Sequence, residues 1–266
     1  MTIISSDVTR AYHDLAVDPK YQHFVRIPDR IIQCIDYFGI SCDRDAARAR
    51  LQSYYLFIGV VDDAIDSDRL ETGRLILDYL NTPTTVIDEG ARRSNVQLIT
   101  EVLKHQIRDD VQSQMMDKLQ ELYDEVVSER CATGMSSYIE HRQLVGSLTA
   151  ESSYILIQSN LGDGHETLLQ FMKQVGALGC LIDSLIDLKK DRRLGLLAFQ
   201  PTIKDHANLI RCILRGGIRV SLKHPRLCGL FLRAIVDNVR DRFRADPNVA
   251  LESFVSEQKG TAAGVA

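Results

Sequence analysis

The amino-acid sequence predicts an all-α fold, a single domain of about eight to ten helices, on three observations. Apolar residues recur at steps of three and four almost throughout, and no segment alternates convincingly enough to read as a strand. Turn chemistry is confined to short breaks, NTPTTVIDEG at 81–90, NLGDGH at 160–165 and GLLAFQP at 195–201. No linker is long enough to divide the chain, and no repeat or low-complexity segment interrupts it.

Helical segments are expected in order over 44–65, 73–80, 96–129, 135–158, 166–190, 206–222 and 225–244. The segment 96–129 reads as one long amphipathic helix, because no glycine or proline interrupts it. Residues 1–256 are expected to form the domain, with GTAAGVA closing a flexible tail over 257–266.

Composition excludes several classes. With 45% hydrophobic and 26% charged residues, the 266-residue chain reads as globular rather than disordered. A net charge of −4 predicts neither a nucleic-acid binder nor a basic membrane-surface protein. No apolar run approaches transmembrane length, and the N-terminal residues lack the apolar centre of a signal peptide, so a cytoplasmic protein is expected. The six cysteines are scattered and form no CxxC pair, which suits reduced thiols. The seven histidines show no zinc spacing, so any metal must be held by oxygen ligands.

Two acidic runs carry the chemistry. VVDDAIDSD at 60–68 packs Asp62, Asp63, Asp66 and Asp68 directly behind an apolar run. Stepping back from Asp62 and Asp66 by three and four reaches Gly59, Ile58 and Tyr55, so this acidic stripe continues a core-facing one. In LIDSLIDLKKD at 181–191, Asp183, Asp187 and Asp191 lie four apart on one face, above Gly179, Cys180 and Gly176. Each glycine inside a helix costs about 1 kcal/mol relative to alanine, so glycines on an inward stripe suggest close approach or needed space. On a third segment Tyr138, Arg142 and Gly146 share a face and supply a cation. Mg²⁺ prefers hard oxygen ligands and bridges a few carboxylates to substrate phosphates. Two carboxylate rows with an arginine therefore describe a site for a diphosphate and its magnesium ions, above space for an apolar tail. A solvated acidic face on a helical scaffold is the plain alternative for each run.

These motifs, DDAID at 62–66 and DSLIDLKKD at 183–191, resemble the two aspartate-rich motifs of the class I isoprenoid (terpene) synthase superfamily. The first matches DDxxD. The second resembles the DxxxD and basic stretch of squalene and phytoene synthases, and also the three-ligand spacing of terpene cyclases. The motifs lie 121 residues apart, and the resemblance covers roughly residues 45 to 200. It implies a helical bundle around a central active-site cavity. The chain departs from chain-elongating prenyltransferases, which follow DDxxD with RRG where Glu71, Thr72 and Gly73 stand here. RIPDR at 26–30 is at best a weak echo of the segments with which squalene-synthase-like enzymes hold a second diphosphate.

The resemblance therefore implies a terpene synthase that ionises one prenyl diphosphate, as a monomer or homodimer. Squalene/phytoene-type condensation of two prenyl diphosphates is the alternative. Metal ligands would come from Asp62, Asp63, Asp66, Asp183, Asp187 and Asp191, with Asp63 turned aside and better placed to orient the others. Arg142 and Lys190 would bind diphosphate oxygens. Tyr55, Phe57 and Tyr138 would offer ring faces to an allyl cation. Gly59, Gly146, Gly176 and Gly179 would leave room for the prenyl tail.

Overall fold

A computed structural model describes residues 6–66, 70–81 and 94–245. Ten α-helices run through them: α1 (Ser6–Val17), α2 (Gln22–Tyr37), α3 (Arg44–Asp66), α4 (Leu70–Asn81), α5 (Asn95–Gln106), α6 (Gln112–Arg130), α7 (Met135–Ile157), α8 (Glu166–Arg193), α9 (Ile203–Lys223) and α10 (Cys228–Ala245). No strand occurs among the described residues, and one isolated bridge, Cys42 to Leu161, joins two loops. The fold is all-α. No described helix is long and apolar enough to cross a membrane. All six cysteines are free thiols. The 81–90 break falls almost wholly outside the described residues, as do Asp68 and the expected tail.

Two helices, α1 and α2, fold where the hydrophobic periodicity predicts none, and one expected helix is divided. Ile107 takes an extended conformation (φ −75°, ψ 123°) that ends α5, and Arg108 Nε meets Asp110 Oδ1 at 2.9 Å in the turn before α6. The two halves bury different faces. Ile99, Val102 and Leu103 of α5 join the core beside α3, whereas Met115, Leu119 and Leu122 of α6 pack beside α7. One straight helix could not present both stripes to both partners.

The main core gathers α2, α3, α5, α6 and α7 around Ile35, Leu51, Tyr54, Leu103, Met115 and Leu156. A smaller cluster of Met135, Tyr138, Ile139, Leu181, Leu188 and Leu209 locks α7 and α8 to α9. Between these clusters α7 and α8 cross with their backbones in contact. A Cβ at Gly146 would overlap the carbonyl oxygen of Gly176, and a Cβ at Gly176 would overlap that of Gly146. These two glycines serve a helix crossing, a role that the sequence left open as close approach. Gly59 likewise receives the ring of Phe24. Gly179 alone of the four faces open space, with nothing within 4 Å of its would-be Cβ.

The crossing makes a stability prediction. Gly146→Val must push apart a pair of backbones that cannot yield, so unfolding should come earlier by about 1–3 kcal/mol, the usual cost of overpacking. Gly179→Ala meets no atom and removes a helix-interior glycine, so it should stabilise by up to about 1 kcal/mol. Urea melts of both variants measure the two signs.

Candidate functional site

A cavity with a volume of about 1650 Å³ lies between α2, α3, α6, α7, α8 and α10. Both acidic motifs open onto it. Asp62, Asp63 and Asp66 arrive on the last turns of α3, and Asp183, Asp187 and Asp191 on the last three turns of α8. Each helix reaches this point because its earlier turns bury an apolar stripe, so the acids continue a face already turned inward. Tyr55, Ile58 and Gly59 line the wall behind the first motif; Gly176, Gly179 and Cys180 line it behind the second.

Arg142 reaches the cavity from α7, and its side chain is only 20% exposed. Its Nε donates to Ser184 Oγ at 2.8 Å, and its Nη1 reaches both carboxylate oxygens of Glu129 at 3.2 and 3.3 Å. Burial works against the guanidinium charge, but the acidic groups around it, Cys180, Glu129, Tyr138 and Asp62 among them, outweigh burial and raise its pKa. Burial also lifts the Glu129 carboxyl above its ordinary value, with Arg142 opposing the shift. The paired contacts to both carboxylate oxygens favour the charged pair.

The remaining acids divide by partner. Lys20, between α1 and α2, pairs with Asp63. That engagement suits an orienting position for Asp63 better than direct metal ligation. Arg130 Nη2 donates to the Ile65 carbonyl at 2.8 Å and lies 3.4 Å from Asp66 Oδ1, closing the end of α3. Asn238 Nδ2 of α10 donates to Asp183 Oδ1 at 2.6 Å. Burial pushes the Asp66 carboxyl up, against Arg130, Lys190 and Arg142. Burial pushes Asp191 up to about 7, with Asp66 and Asp62 adding to the shift and Arg142 and Lys190 opposing it. Asp62, Asp66 and Asp191 thus share one crowded region.

Among the described residues no three His, Cys, Asp or Glu side chains converge into a metal-binding group on their own. Mg²⁺ does not require one, since it keeps water and phosphate in its shell and takes one or two carboxylates. The crowded acids fit such ions, whose charge would offset the burial and the repulsion that together raise Asp191.

Two expected residues stand apart from the cavity. Phe57 is 3% exposed inside the main core and does not reach the cavity wall. Tyr138 is buried below Arg142, edge-on to Phe199 at 5.9 Å between ring centroids. Both lie on faces that neighbouring helices cover. The rings that line the cavity include Tyr55, Phe24, Phe171 and Phe231, the last two stacked at 5.8 Å. Glu129, Asn238 and Arg130 carry no signal in the sequence as site residues, because only the tertiary fold brings α6 and α10 beside the motifs.

No family model, no curated protein and no solved structure matches the chain. The functional assignment therefore stands on the cavity.

Arg142 ties three helices, so its replacement tests both architecture and chemistry. Arg142→Ala leaves buried Glu129 unpaired and should lower stability by about 3–5 kcal/mol in denaturant melts. Arg142→Lys keeps the charge but loses the fork that spans Ser184 and Glu129, so it should melt between wild type and Arg142→Ala.

Asp191 makes a pH prediction. Its folded pKa of about 7 lies above its ordinary value of 3.8, so the folded state binds the extra proton between those limits. Its ionisation therefore opposes folding; the penalty is complete above about pH 7 and fades as pH falls towards 3.8. In metal-free buffer Asp191→Asn should melt higher than wild type at pH 8, and the gap should narrow at pH 5. A gap that is absent at pH 8, or constant with pH, would show that Asp191 is not the strained acid.

Proposed function

We propose that the protein is a magnesium-dependent class I terpene synthase that ionises a single prenyl diphosphate. The observation that carries this reading is the joint lining of one cavity by both aspartate motifs, a buried arginine and, deeper in, apolar and aromatic side chains. Asp62, Asp66, Asp183, Asp187 and Asp191 would hold the ions that arrive with the diphosphate. Bound Mg²⁺ supplies Lewis-acid stabilisation of charge on the departing diphosphate.

The chain's own groups do the rest. Arg142, held rigid by Glu129 and Ser184, presents its charge towards the leaving oxygens without reorganising. Lys190, exposed at the rim, adds a second cation. The bond from the allylic carbon to oxygen breaks with its electron pair leaving on diphosphate. The allyl cation left behind rests among Tyr55, Phe24, Phe171 and Phe231, whose ring faces favour positive charge. Apolar walls keep water from quenching it until the departed diphosphate takes up a proton from the cation, leaving a neutral hydrocarbon.

One observation favours the two-substrate alternative. A cavity of about 1650 Å³ exceeds the ~300–1,000 Å³ of ordinary ligand pockets. Against it, both arginines of RIPDR are held in ion pairs with α10, although Arg30 itself lines the cavity. Arg30 meets Asp237 at 3.2 Å, and Arg26 lies 2.9 Å from Asp241, an ion pair outside hydrogen-bond alignment.

Incubation with ten-, fifteen- and twenty-carbon prenyl diphosphates and Mg²⁺, followed by analysis of extracted hydrocarbons, tests both readings. A synthase returns products with the carbon number of its substrate; a condensing enzyme doubles it. Asp62→Ala and Asp183→Ala should each cut turnover by at least about 100-fold while remaining folded. Gly179→Leu should fill open space beneath Asp183 and depress the longest substrate most. No turnover of any substrate, or full activity in both aspartate variants, would defeat the assignment.

A further inference from the structure

The net charge of −4 conceals its distribution. Residues 189–226 carry ten Lys and Arg against two Asp, a local net of +8. Most of this stretch is α9, which packs one face on α8 and buries only Leu209 and Val220. Its outward face is apolar. Ile203 is 89% exposed, Leu214 58%, Ile218 59% and Leu222 78%, and Ile210 lies on the same stripe. Arg211, Arg215 and Arg219 are all exposed and follow the stripe along one flank, one residue after each apolar member. A helix that turns a row of isoleucines and leucines to water, bordered by arginines, has the form of an in-plane interfacial helix.

We propose that α9 is a membrane-docking element that lies in the surface of an anionic phospholipid bilayer. Charge and apolar character select this occupant together. A second copy of the chain on the same face would bring two arginine rows against each other. Nucleic acid would use the arginines but leave the isoleucines and leucines exposed. A bilayer with anionic headgroups takes both, the stripe entering the acyl boundary and the arginines remaining at headgroup level.

The place of α9 in the chain adds a consequence. Nine residues link it to the end of α8, so its N-terminal end starts beside the cavity's acidic mouth. Leu194 in that link is 57% exposed and extends the apolar surface towards the mouth, where Arg192 and Arg193 line the rim. On α10, exposed Leu232 and Val236, with Arg233 and Arg240, repeat the same mixture. Docking through α9 would therefore hold the mouth near a lipid surface. Docking rests on the composition of the face and is independent of what the cavity does.

The test is co-sedimentation of the full chain with vesicles, without Mg²⁺ or diphosphate. Vesicles of phosphatidylcholine with about 30 mol % phosphatidylglycerol should pellet the protein, pure phosphatidylcholine vesicles should pellet far less, and about 0.5 M NaCl should release it. Leu214→Glu with Ile218→Glu, both at exposed positions, should abolish partitioning while the circular-dichroism melt stays unchanged. Replacing Arg211, Arg215 and Arg219 with Gln should weaken partitioning on the order of 100-fold. Failure of the wild type to pellet with anionic vesicles overturns the proposal, and so does binding indifferent to these substitutions. A dimer in light scattering that dissociates in the Leu214→Glu, Ile218→Glu protein, with no vesicle binding, would assign the face to a second copy instead.

Discussion

The contact on which the rest of the site depends is the crossing of α7 and α8 at Gly146 and Gly176, where each backbone occupies the space of the other's missing side chain. The helices run antiparallel there. One turn back along α7 from Gly146 is Arg142, and two turns on along α8 from Gly176 is Ser184. Their 2.8 Å hydrogen bond exists because the crossing brings the helices this close. A pair of alanines would separate the axes, and the guanidinium would lose both Ser184 and its position over the acids of α8. The crossing thus converts two costly helix-interior glycines into electrostatic placement.

That placement answers what gathers the aspartates of α3 and α8. Acids confined together and partly desolvated repel one another, and the rise of Asp191 to about 7 records that repulsion together with burial. Neighbouring cations oppose it. Lys20 engages Asp63, Arg130 closes on Asp66, and Arg142 is shared with Glu129. A site that crowds its acids into one cavity while presenting a fixed arginine is suited to receive positive and negative charge together. A metal-bound diphosphate carries both.

Much of this arrangement is legible in the sequence, because periodicity of 3.6 assigns faces reliably. Tyr55, Ile58, Gly59, Asp62 and Asp66 fall on one stripe by counting, and all line the cavity. Tyr138, which shares a face with Arg142, and Phe57, expected for its ring, are both covered by the core, since a stripe says which way a residue points but not which neighbour covers it. Counting also joins α5 to α6, because the break at Ile107 comes from two helices needing different partners and not from glycine or proline. Glu129 and Asn238 carry no local signal; their roles arise from contacts across 13 and 55 residues of chain. The glycines of the crossing stand out for the right reason, something coming close, but what comes close is another backbone.

One helix holds these requirements together. α8 has 28 residues, about 42 Å at the rise of an α-helix, and four functions follow one another along it. Gly176 makes the crossing, Gly179 opens the cavity, Asp183 to Asp191 form the acidic mouth, and Arg192 and Arg193 begin the basic stretch that continues into α9. Because successive residues are about 100° apart, a register slip of one position would turn the acids off the cavity and put a side chain into the crossing in the same motion. No local adjustment could restore one without losing the other. The site is therefore specified less by any single carboxylate than by the register of α8, and the backbone contact at Gly146 and Gly176 is what holds that register.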